Sequence, residues 1–450
     1  MFHRSTECSQ TFAPESQLSK KKFTLLTFLG IRPDIIRMQR LLALLDRGQR
    51  KFGYRHIFVH SGQHFDYQLE GIFYRQLGVR LPDSNLRVGR DLKKVNKGSH
   101  VEQAALLFIR TAATIEKFRP DAVLYLGDTN TVLTSLVVAK YGVPVIHIEG
   151  GGRSYDWRMP EEKNRIIVDH LSDVIYCYLD RYKQILLAEG IPEFRTVVVG
   201  NLIVDAIRNF LPAAARNPIL KKLGVVAKSY ALCTLHREEH LENRKILTTK
   251  LRELSKLART LPVVFPVMPR LRSSIHKFNL RGLLDELNLN CTEPLGFLEF
   301  LNLEKNAALI ITDSGTVQEE ALVLGVPCLV ARRSTERPET LAAGASLLAE
   351  DDLEKSALQA LDLPRTWDRA VLNPLGGSPS ERIFSDILEK IHSGYFLRSR
   401  KFEMLGAYPF VNEAYGLIPP RGRGSAPSHL TRAARAETRK SRRPMMRHSF

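Results

Sequence analysis

The sequence predicts an α/β protein built from two doubly wound Rossmann-like domains that face a central cleft. Three observations lead to this fold class. Short apolar runs of strand length alternate with longer segments of helical periodicity, which is typical of a parallel sheet covered by helices. The alternation occurs in two successive series. Polar side chains also cluster where the apolar runs end, which is where open α/β sheets bind ligands.

The first series spans residues 22–211 and follows a polar stretch, residues 1–21, that we predict to be disordered. In the helix predicted at 34–47 apolar residues recur every three or four positions, and Pro33 suits its first turn. The predicted strands lie at 23–29, 56–60, 122–126, 143–148, 174–178 and 196–199. The predicted helices lie at 34–47, 101–118, 131–141 and 164–171.

The second series spans residues 212–377, and we interpret Leu211-Pro212 as the start of a linker between the two domains. Its predicted strands lie at 230–234, 263–266, 309–312 and 326–330, and its predicted helices at 244–260 and 317–324. A last amphipathic helix within 378–395 can pack back on the N-terminal domain. Residues 396–450 are predicted to form a basic, disordered tail.

The charge of the chain is +18, which at first suggests nucleic acid or an anionic membrane as a partner. From Arg398 to the end there are twelve Lys and Arg against three Asp and Glu, so half of the excess lies in the tail. A nucleic-acid-binding protein should carry its basic surface on folded elements. We therefore expect no nucleic acid, and the remaining excess fits a substrate with several negative charges.

The cysteines and the apolar runs of the sequence indicate the cellular compartment in which the protein is expected. The five cysteines include no CxxC pair, and an odd number without a disulfide framework indicates a reducing compartment. The N-terminus has no apolar signal segment, and no run approaches the roughly 20 residues of a membrane span. The expected location is the cytoplasm.

The segment TDSGTVQEE (312–320) follows a predicted strand and opens a predicted helix, and such a helix start suits a phosphate. Ser314 adds a hydroxyl, Gly315 allows close approach to the backbone, and Glu320 lies where it could accept hydrogen bonds from a ribose. The alternative to a phosphate site is that Asp313 or Ser314 is simply the N-cap of the helix. Arg337 follows the next strand and can face the same phosphates.

The chain has neither GxGxxG nor GxxxxGK[ST], which disfavours a dinucleotide site and a P-loop.

Three carboxylates and a histidine also lie near strand ends. Asp128, Glu149 and Glu161 can shift each other's pKa values and act as acid and base, although Glu161 could equally be a helix N-terminal charge. His236 begins an HxxxH pair with His240, but the pattern lacks the glutamate of HExxH and follows a strand, so we predict no metal site.

Two arginines near the start of the first predicted helix are candidates for binding a diphosphate across the cleft. Arg32 and Arg37 carry guanidiniums that can pair with phosphate oxygens in bidentate geometry. The alternative for both is a solvated surface arginine.

Six segments together resemble the non-hydrolysing UDP-N-acetylglucosamine 2-epimerases. They are GIRPDIIRM (30–38), GDTNT (127–131), HIEGGGRSYDWRMPEEKNR (147–165), TLHREEH (234–240), TDSGTVQEEA (312–321) and STERPET (334–340). They occur in the family's order and span most of residues 23–390. The resemblance implies the glycosyltransferase-B architecture, with a UDP-sugar substrate, no cofactor and a homodimer.

The resemblance also implies a reaction at C2 of the sugar, in which UDP is eliminated and then re-added to interconvert UDP-GlcNAc and UDP-ManNAc for surface polysaccharide precursors. Asp128, Glu149, Glu161 and His236 would supply acid, base and leaving-group assistance. The residues implied to hold UDP are Arg32, Arg37, Leu295, Phe300, Ser314, Gly315, Thr316, Glu320 and Arg337, with Leu295 and Phe300 bordering the uracil. Which carboxylate takes the C2 proton stays open.

The chain also departs from the family's pattern. Gly150-Gly151-Gly152 follows Glu149 where the family has AGL, so we expect a more mobile loop. The segment beginning Gln63-His64 differs from the activating-site motif of some bacterial members. Three alternatives stay open, namely a UDP-2,3-diacetamido-2,3-dideoxyglucuronate 2-epimerase, a hydrolysing epimerase and a glycosyltransferase of the same fold.

Overall fold

The computed structural model describes residues 22–63, 74–95, 98–349 and 352–400. Its first sheet has seven parallel strands in the order β3-β2-β1-β4-β5-β6-β7. In chain order these strands are β1 (Thr24–Leu29), β2 (Arg55–His60), β3 (Ser84–Asn85), β4 (Ala122–Leu126), β5 (Val145–Ile148), β6 (Val174–Cys177) and β7 (Thr196–Val198). Most are continuous apolar runs because helices cover both faces of the sheet.

The helices that accompany this sheet follow the predicted alternation. They are α1 (Arg32–Phe52), α2 (Val88–Lys94), α3 (His100–Phe118), α4 (Ser135–Lys140), α5 (Pro160–Leu171), α6 (Asp180–Ala188) and α7 (Ile203–Ala214). Helix α1 buries Ile35, Met38, Leu41, Leu42 and Leu45 against the sheet. The helix predicted at 131–141 is instead a 3₁₀ turn, Asn130–Thr134, that leads into the short α4.

The second sheet has six parallel strands in the order β10-β9-β8-β11-β12-β13. They are β8 (Ala231–Thr234), β9 (Val263–Pro266), β10 (Asn290–Thr292), β11 (Leu309–Thr312), β12 (Cys328–Val330) and β13 (Ser346–Leu348). The remaining helices are α8 (Ile219–Leu223), α9 (Glu238–Leu241), α10 (Arg244–Leu257), α11 (Pro269–Lys277), α12 (Arg281–Glu286), α13 (Phe297–Asn306), α14 (Gly315–Leu324), α15 (Pro338–Ala342), α16 (Leu353–Leu361), α17 (Pro379–His392) and α18 (Tyr395–Arg400). Two doubly wound α/β units are therefore present, as predicted.

Each sheet has one point where the strand order reverses. In the first sheet it lies between β1 and β4, and in the second between β8 and β11. Connections leave these neighbouring strands toward opposite faces, which opens a crevice at their carboxyl ends. The loops that follow these strands carry the site described below.

The predicted linker at Leu211-Pro212 was wrong, because both residues lie inside α7. The helix continues through Pro212 because its apolar face packs well, with Phe210 against Phe297 of α13 at a ring-centroid distance of 5.3 Å. A proline near the end of a helix removes only one backbone hydrogen bond. The chain thus passes from one sheet to the other through a packed helix.

The C-terminal part returns to the first sheet. Helix α17 lies against α1, where Arg40 donates to the Ser378 hydroxyl at 3.1 Å. The predicted start of the disordered tail at 396 was wrong, since Tyr395–Arg400 is helical and Phe396 is buried against Phe23. The predictions of disorder for residues 1–21 and 401–450 lie outside the described residues. No helix in the described part of the chain is long and apolar enough to cross a membrane.

Phe210 should contribute strongly to stability because it joins α7 to α13. We expect Phe210→Ala to lower the free energy of unfolding by about 3–5 kcal/mol, measured by denaturant unfolding, since a buried aromatic ring leaves a cavity. Ile109→Ala is the matched control, because Ile109 is 70% exposed on α3 and should change stability by less than about 0.5 kcal/mol. Equal effects of the two substitutions would contradict this packing argument.

Candidate active site

A cavity of about 660 Å³ lies where the strand ends of the two sheets face each other. Loops that follow β1, β4 and β5 line one side, and loops that follow β8, β11 and β12 line the other. Nine of the thirteen predicted site residues line it, namely Arg37, Asp128, Glu149, Glu161, His236, Ser314, Gly315, Thr316 and Arg337. Residues from two domains therefore share one chamber.

Helix α14 begins at Gly315, with Ser314 as the N-cap residue and no side-chain cap. The amide of Ser314 donates to the Thr312 hydroxyl at 3.0 Å, which sets the direction of the turn. A Cβ atom at Gly315 would lie 2.5 Å from Oε1 of Glu336, so any larger residue there would require the Glu336 carboxyl group to move. The helix start faces the cavity with N–H groups that suit an anion.

Asp313 orients the histidine loop instead of capping α14. Its carboxylate accepts the backbone N–H of His236 at 3.0 Å and that of Arg237 at 3.0 Å. It also contacts Nδ1 of His236 at 2.7 Å and Nδ1 of His240 at 2.9 Å. Although burial alone would raise it, the pKa of Asp313 is held well below its usual range by His236 and His240.

The two histidines of the HxxxH pair thus share one carboxylate. His236 exposes 42% of its side chain and lines the cavity, whereas His240 is buried. Within the described residues no group of three or more His, Cys, Asp and Glu side chains could hold a metal ion. The carboxylate fixes the orientation of the His236 ring.

Glu149 is the carboxylate at the centre of the cleft. Its backbone is left-handed, with φ of 78°, and its side chain is buried. One carboxylate oxygen accepts from Arg37 of the first domain and the other from Arg337 of the second. Arg37 is therefore not the solvated surface arginine considered as an alternative. The two guanidiniums therefore pair with the buried carboxyl group of Glu149 from different domains.

Each of these arginines has a second acidic partner. Arg37 contacts Oδ1 of Asp34 at 3.0 Å, and Arg337 contacts Oε1 of Glu319 at 2.5 Å. Burial raises the pKa of Asp34 to about 6, against the opposing charge of Arg37. Burial likewise raises the pKa of Glu319 to about 8, against the opposing charge of Arg337. The cluster therefore balances two cations with three acidic groups.

A second cluster of charges holds Asp128. Its carboxylate contacts Arg165 at 2.5 Å, and Arg165 contacts Glu162 at 2.6 Å. Burial would raise the pKa of Asp128, but the charges of Arg165, Arg237 and Arg337 together lower it. Because Asp128 is ionised and faces the cavity, it can accept a proton or a hydrogen bond from a ligand.

Glu161 and Glu162, adjacent at the start of α5, have different environments. Glu162 is buried and accepts from the backbone of Ser154 and Tyr155, so it holds the loop. Glu161 lines the cavity, exposes 31% of its side chain and lies 3.5 Å from Arg237 of the other domain. Its position favours a site role over a purely local helix charge.

The expectation of a mobile glycine loop after Glu149 was wrong. All three glycines are buried. A Cβ atom at Gly150 would lie 2.1 Å from Ile175, and one at Gly151 would lie 2.3 Å from the carbonyl oxygen of Tyr182. The amide of Gly151 also donates to Asp169 at 3.1 Å. Close packing therefore requires the glycines, and the loop holds Glu149 in a defined position.

The other four predicted site residues do not line the cavity. Leu295 and Phe300 are half-buried and pack against the apolar core. Glu320 is buried, and burial raises its pKa to about 7. Arg32 is half-buried at the start of α1. The described cavity thus brings together the acid, base and phosphate-facing groups, but not these four.

A model of the family described as UDP-N-acetylglucosamine 2-epimerase matches residues 47–387. The chain belongs to this family. A relative of that name from Methanococcus maripaludis is 37% identical over 367 residues, 80% of this chain and 96% of the relative. UDP-2,3-diacetamido-2,3-dideoxy-D-glucuronate 2-epimerase of Pseudomonas aeruginosa is 34% identical, covering 80% of this chain and 98% of the relative.

Solved structures agree with this assignment. UDP-GlcNAc 2-epimerase of Methanocaldococcus jannaschii, in complex with UDP-GlcNAc and UDP, matches with a TM-score of 0.73 and 37% identity, covering 82% of this chain and 99% of that one. The Neisseria meningitidis enzyme bound to UDP-GlcNAc matches with a TM-score of 0.70 and 29% identity, covering 82% and 100%. The predicted family and fold are confirmed, and the protein is an epimerase.

Sequence reasoning missed several residues of the epimerase site. Asp34, Arg165, Arg237, Glu319 and Glu336 all lie inside the segments quoted above, but none was assigned a role. Glu336 is buried and accepts from Arg237 at 3.1 Å and from Arg332 at 2.8 Å. The available signal was that these charged residues lie beside the predicted site residues in the same segments.

Asp313 should support catalysis through His236. We expect Asp313→Asn to lower kcat of the epimerase by about 100-fold, because the imidazole loses the carboxylate that orients it and stabilises its charge. KM should change less, since Asp313 does not line the cavity. Steady-state kinetics with circular dichroism of the variant checks both statements. A variant with normal kcat would show that the Asp313–His236 contact has no part in turnover.

Proposed function

We propose that the protein is a non-hydrolysing UDP-N-acetylglucosamine 2-epimerase that interconverts UDP-GlcNAc and UDP-ManNAc. The observation that carries the proposal is the Arg37–Glu149–Arg337 arrangement beside the helix start at Gly315. It places diphosphate-binding groups and a carboxylate in one chamber between two domains. The relative from Methanocaldococcus jannaschii, whose structure holds UDP-GlcNAc and UDP, supports this substrate class.

The diphosphate would bind to the second domain at Ser314, Gly315 and Thr316, with Arg337 and Arg37 on either side. Guanidiniums pair with phosphate oxygens in bidentate geometry, and the helix start adds N–H donors. Tight binding of UDP suits a reaction in which UDP is a leaving group that must return. The proposed elimination breaks the C2–H and C1–O bonds and gives 2-acetamidoglucal and UDP. Re-addition forms C1–O again, with a proton delivered to the opposite face of C2.

The acid and base groups of this proposal are Asp128, Glu149, Glu161 and His236, which face the cavity from both domains. One carboxylate would take the C2 proton, and a second group would return a proton from the other face. His236, oriented by Asp313, suits leaving-group assistance because its protonated ring can stabilise charge on UDP. Arg32, Leu295, Phe300 and Glu320 are retained as proposed contacts of the nucleotide.

A second candidate is epimerisation of a UDP-2,3-diacetamido-2,3-dideoxyglucuronate. Arg158 favours it, because this guanidinium lines the cavity with 82% of its side chain exposed and could exchange its present partner Asp156 for a sugar carboxylate. The identity to the Pseudomonas aeruginosa relative is, however, lower than that to the Methanococcus maripaludis relative. We therefore place UDP-GlcNAc first.

We further propose that the protein is a cytoplasmic homodimer and that it supplies surface polysaccharide precursors.

Incubation with UDP-GlcNAc in D₂O, followed by NMR, tests the proposed reaction. We expect deuterium at C2 and formation of UDP-ManNAc without any acceptor or added cofactor. Free N-acetylmannosamine as the main product would indicate a hydrolysing epimerase. Turnover that requires an acceptor, without exchange at C2, would indicate a glycosyltransferase. Parallel incubation with the diacetamido-uronate substrate decides between the two sugars.

Glu149 and His236 should both be needed for turnover. We expect Glu149→Gln and His236→Asn each to lower kcat by about 100-fold to 10,000-fold, because each loses a proton-transfer group but keeps its shape. Glu193→Gln is the matched control, since Glu193 is 74% exposed and pairs with Lys183 on the surface, away from the cavity. Near-normal kcat in either site variant would refute the role of that residue.

A further inference from the structure

The acidic partners of Arg37 and Arg337 are of two kinds. Asp34 and Glu319 each belong to the same domain as the arginine that they contact, whereas Glu149 bridges the domains. All five side chains are at least nine-tenths buried, so their charges depend on each other. This difference suggests that the same-domain contacts persist and that the bridging contact can change.

The contact of Asp34 with Arg37 is built into the start of α1. The residues are three apart on the helix, and Asp34 also accepts the backbone N–H groups of Gly30 at 3.3 Å and Ile31 at 3.2 Å. Asp34 therefore fixes the turn after β1 and the guanidinium of Arg37 together. Its contacts do not involve the second domain.

Glu319 plays the corresponding part in the second domain. It is fully buried on α14, one turn after Gly315, and lies 2.5 Å from Nε of Arg337. This contact uses the inner edge of the guanidinium, and the terminal Nη2 is the atom that reaches Glu149. The Nε atom and the Glu319 carboxylate oxygen lie close without hydrogen-bond geometry, so Glu319 limits where the guanidinium can lie, and the Nη2 donor stays available to exchange its partner.

Glu149 is the partner that can be exchanged. It accepts from Arg37 and Arg337 at once, and these are the two arginines that would hold the diphosphate in the proposed function, on which this inference rests. A diphosphate presents the same kind of charge-assisted acceptor as a carboxylate, with more charge. Both anions therefore compete for the same N–H donors.

We propose that Glu149 is an exchangeable internal anion: the diphosphate of the substrate takes its place between Arg37 and Arg337, while Asp34 and Glu319 are positioning residues that hold the two guanidiniums. The carboxylate of Glu149 is then released from both cations only when the nucleotide is bound. A carboxylate that is no longer hydrogen-bonded to these two partners is free to accept the C2 proton. Proton abstraction is thereby coupled to occupancy of the diphosphate site.

Calorimetric binding of UDP and of uridine, which lacks the diphosphate, tests the exchange. We expect Glu149→Gln to bind UDP about tenfold more tightly than the wild type, since the competing anion is gone, and to bind uridine unchanged. Asp128→Asn removes a carboxylate from the same cavity that pairs with Arg165 instead, so its UDP affinity should change less than about twofold. This control separates exchange from a general loss of negative charge.

Two results would overturn the exchange. In one, Glu149→Gln binds UDP no more tightly than the wild type; in the other, Asp128→Asn tightens UDP binding equally. Failure of the wild type to bind UDP at all would instead refute the proposed function. Unchanged uridine affinity serves as the check that each variant keeps an intact pocket.

The positioning role of Glu319 has its own test. We expect Glu319→Gln to weaken UDP binding about tenfold and to raise KM more than it lowers kcat, with uridine binding unchanged. Glu319→Asp keeps a carboxyl group and should bind UDP within about threefold of the wild type, which a purely steric role of the longer side chain would not allow. Unchanged UDP affinity in Glu319→Gln, or equal losses in both variants, would exclude this role.

Discussion

Burial of a carboxylate between two guanidiniums of different domains is the interaction on which the cleft depends. An unpaired charge in such a position would be unfavourable by several kcal/mol. In the structure Glu149 is buried between Arg37 and Arg337, and each arginine also contacts an acidic residue of its own domain, Asp34 or Glu319. The spacing of the two domains and the charge state of the site therefore depend on each other.

The topology explains why these groups meet. Both sheets are parallel, and each reverses its strand order once, between β1 and β4 and between β8 and β11. The loops at those positions leave the sheet at its carboxyl edge, and the two edges face each other across the cavity. The same geometry places a helix start at Gly315 opposite the start of α1, so that an anion can contact both domains.

Rigidity in this site comes from close packing and fixed hydrogen bonds. Gly150 packs against the Ile175 side chain and Gly151 against the Tyr182 backbone, and Asp313 holds the His236 loop through four contacts. A left-handed backbone at Glu149 is uncommon for a residue with a side chain and is maintained by the surrounding structure. Preorganised groups of this kind lose little freedom when a ligand binds, which favours selective recognition of charge.

Strands with long apolar runs were predicted within one or two residues, and β4, β9 and β11 with the observed bounds. Because these strands are buried on both faces of the sheet, their consecutive residues are apolar, and such runs are visible in the sequence. Helices such as α7 and α13 were missed. Pro212 suggested a break that packing against Phe297 overrides, and the pattern around α13 includes charged residues on a partly buried helix.

The sequence by itself determined the alternation of strands and helices, the two-domain fold, and the segments that hold the acids, the arginines and the phosphate-binding turn. These properties depend on residues close together in the chain. The tertiary structure alone decided which charges pair: Glu149 with arginines 112 and 188 positions away, and Asp313 with the His236 loop instead of its own helix. The physical reason is that the pairing of buried charges depends on distances across the cleft, and local sequence does not encode those distances.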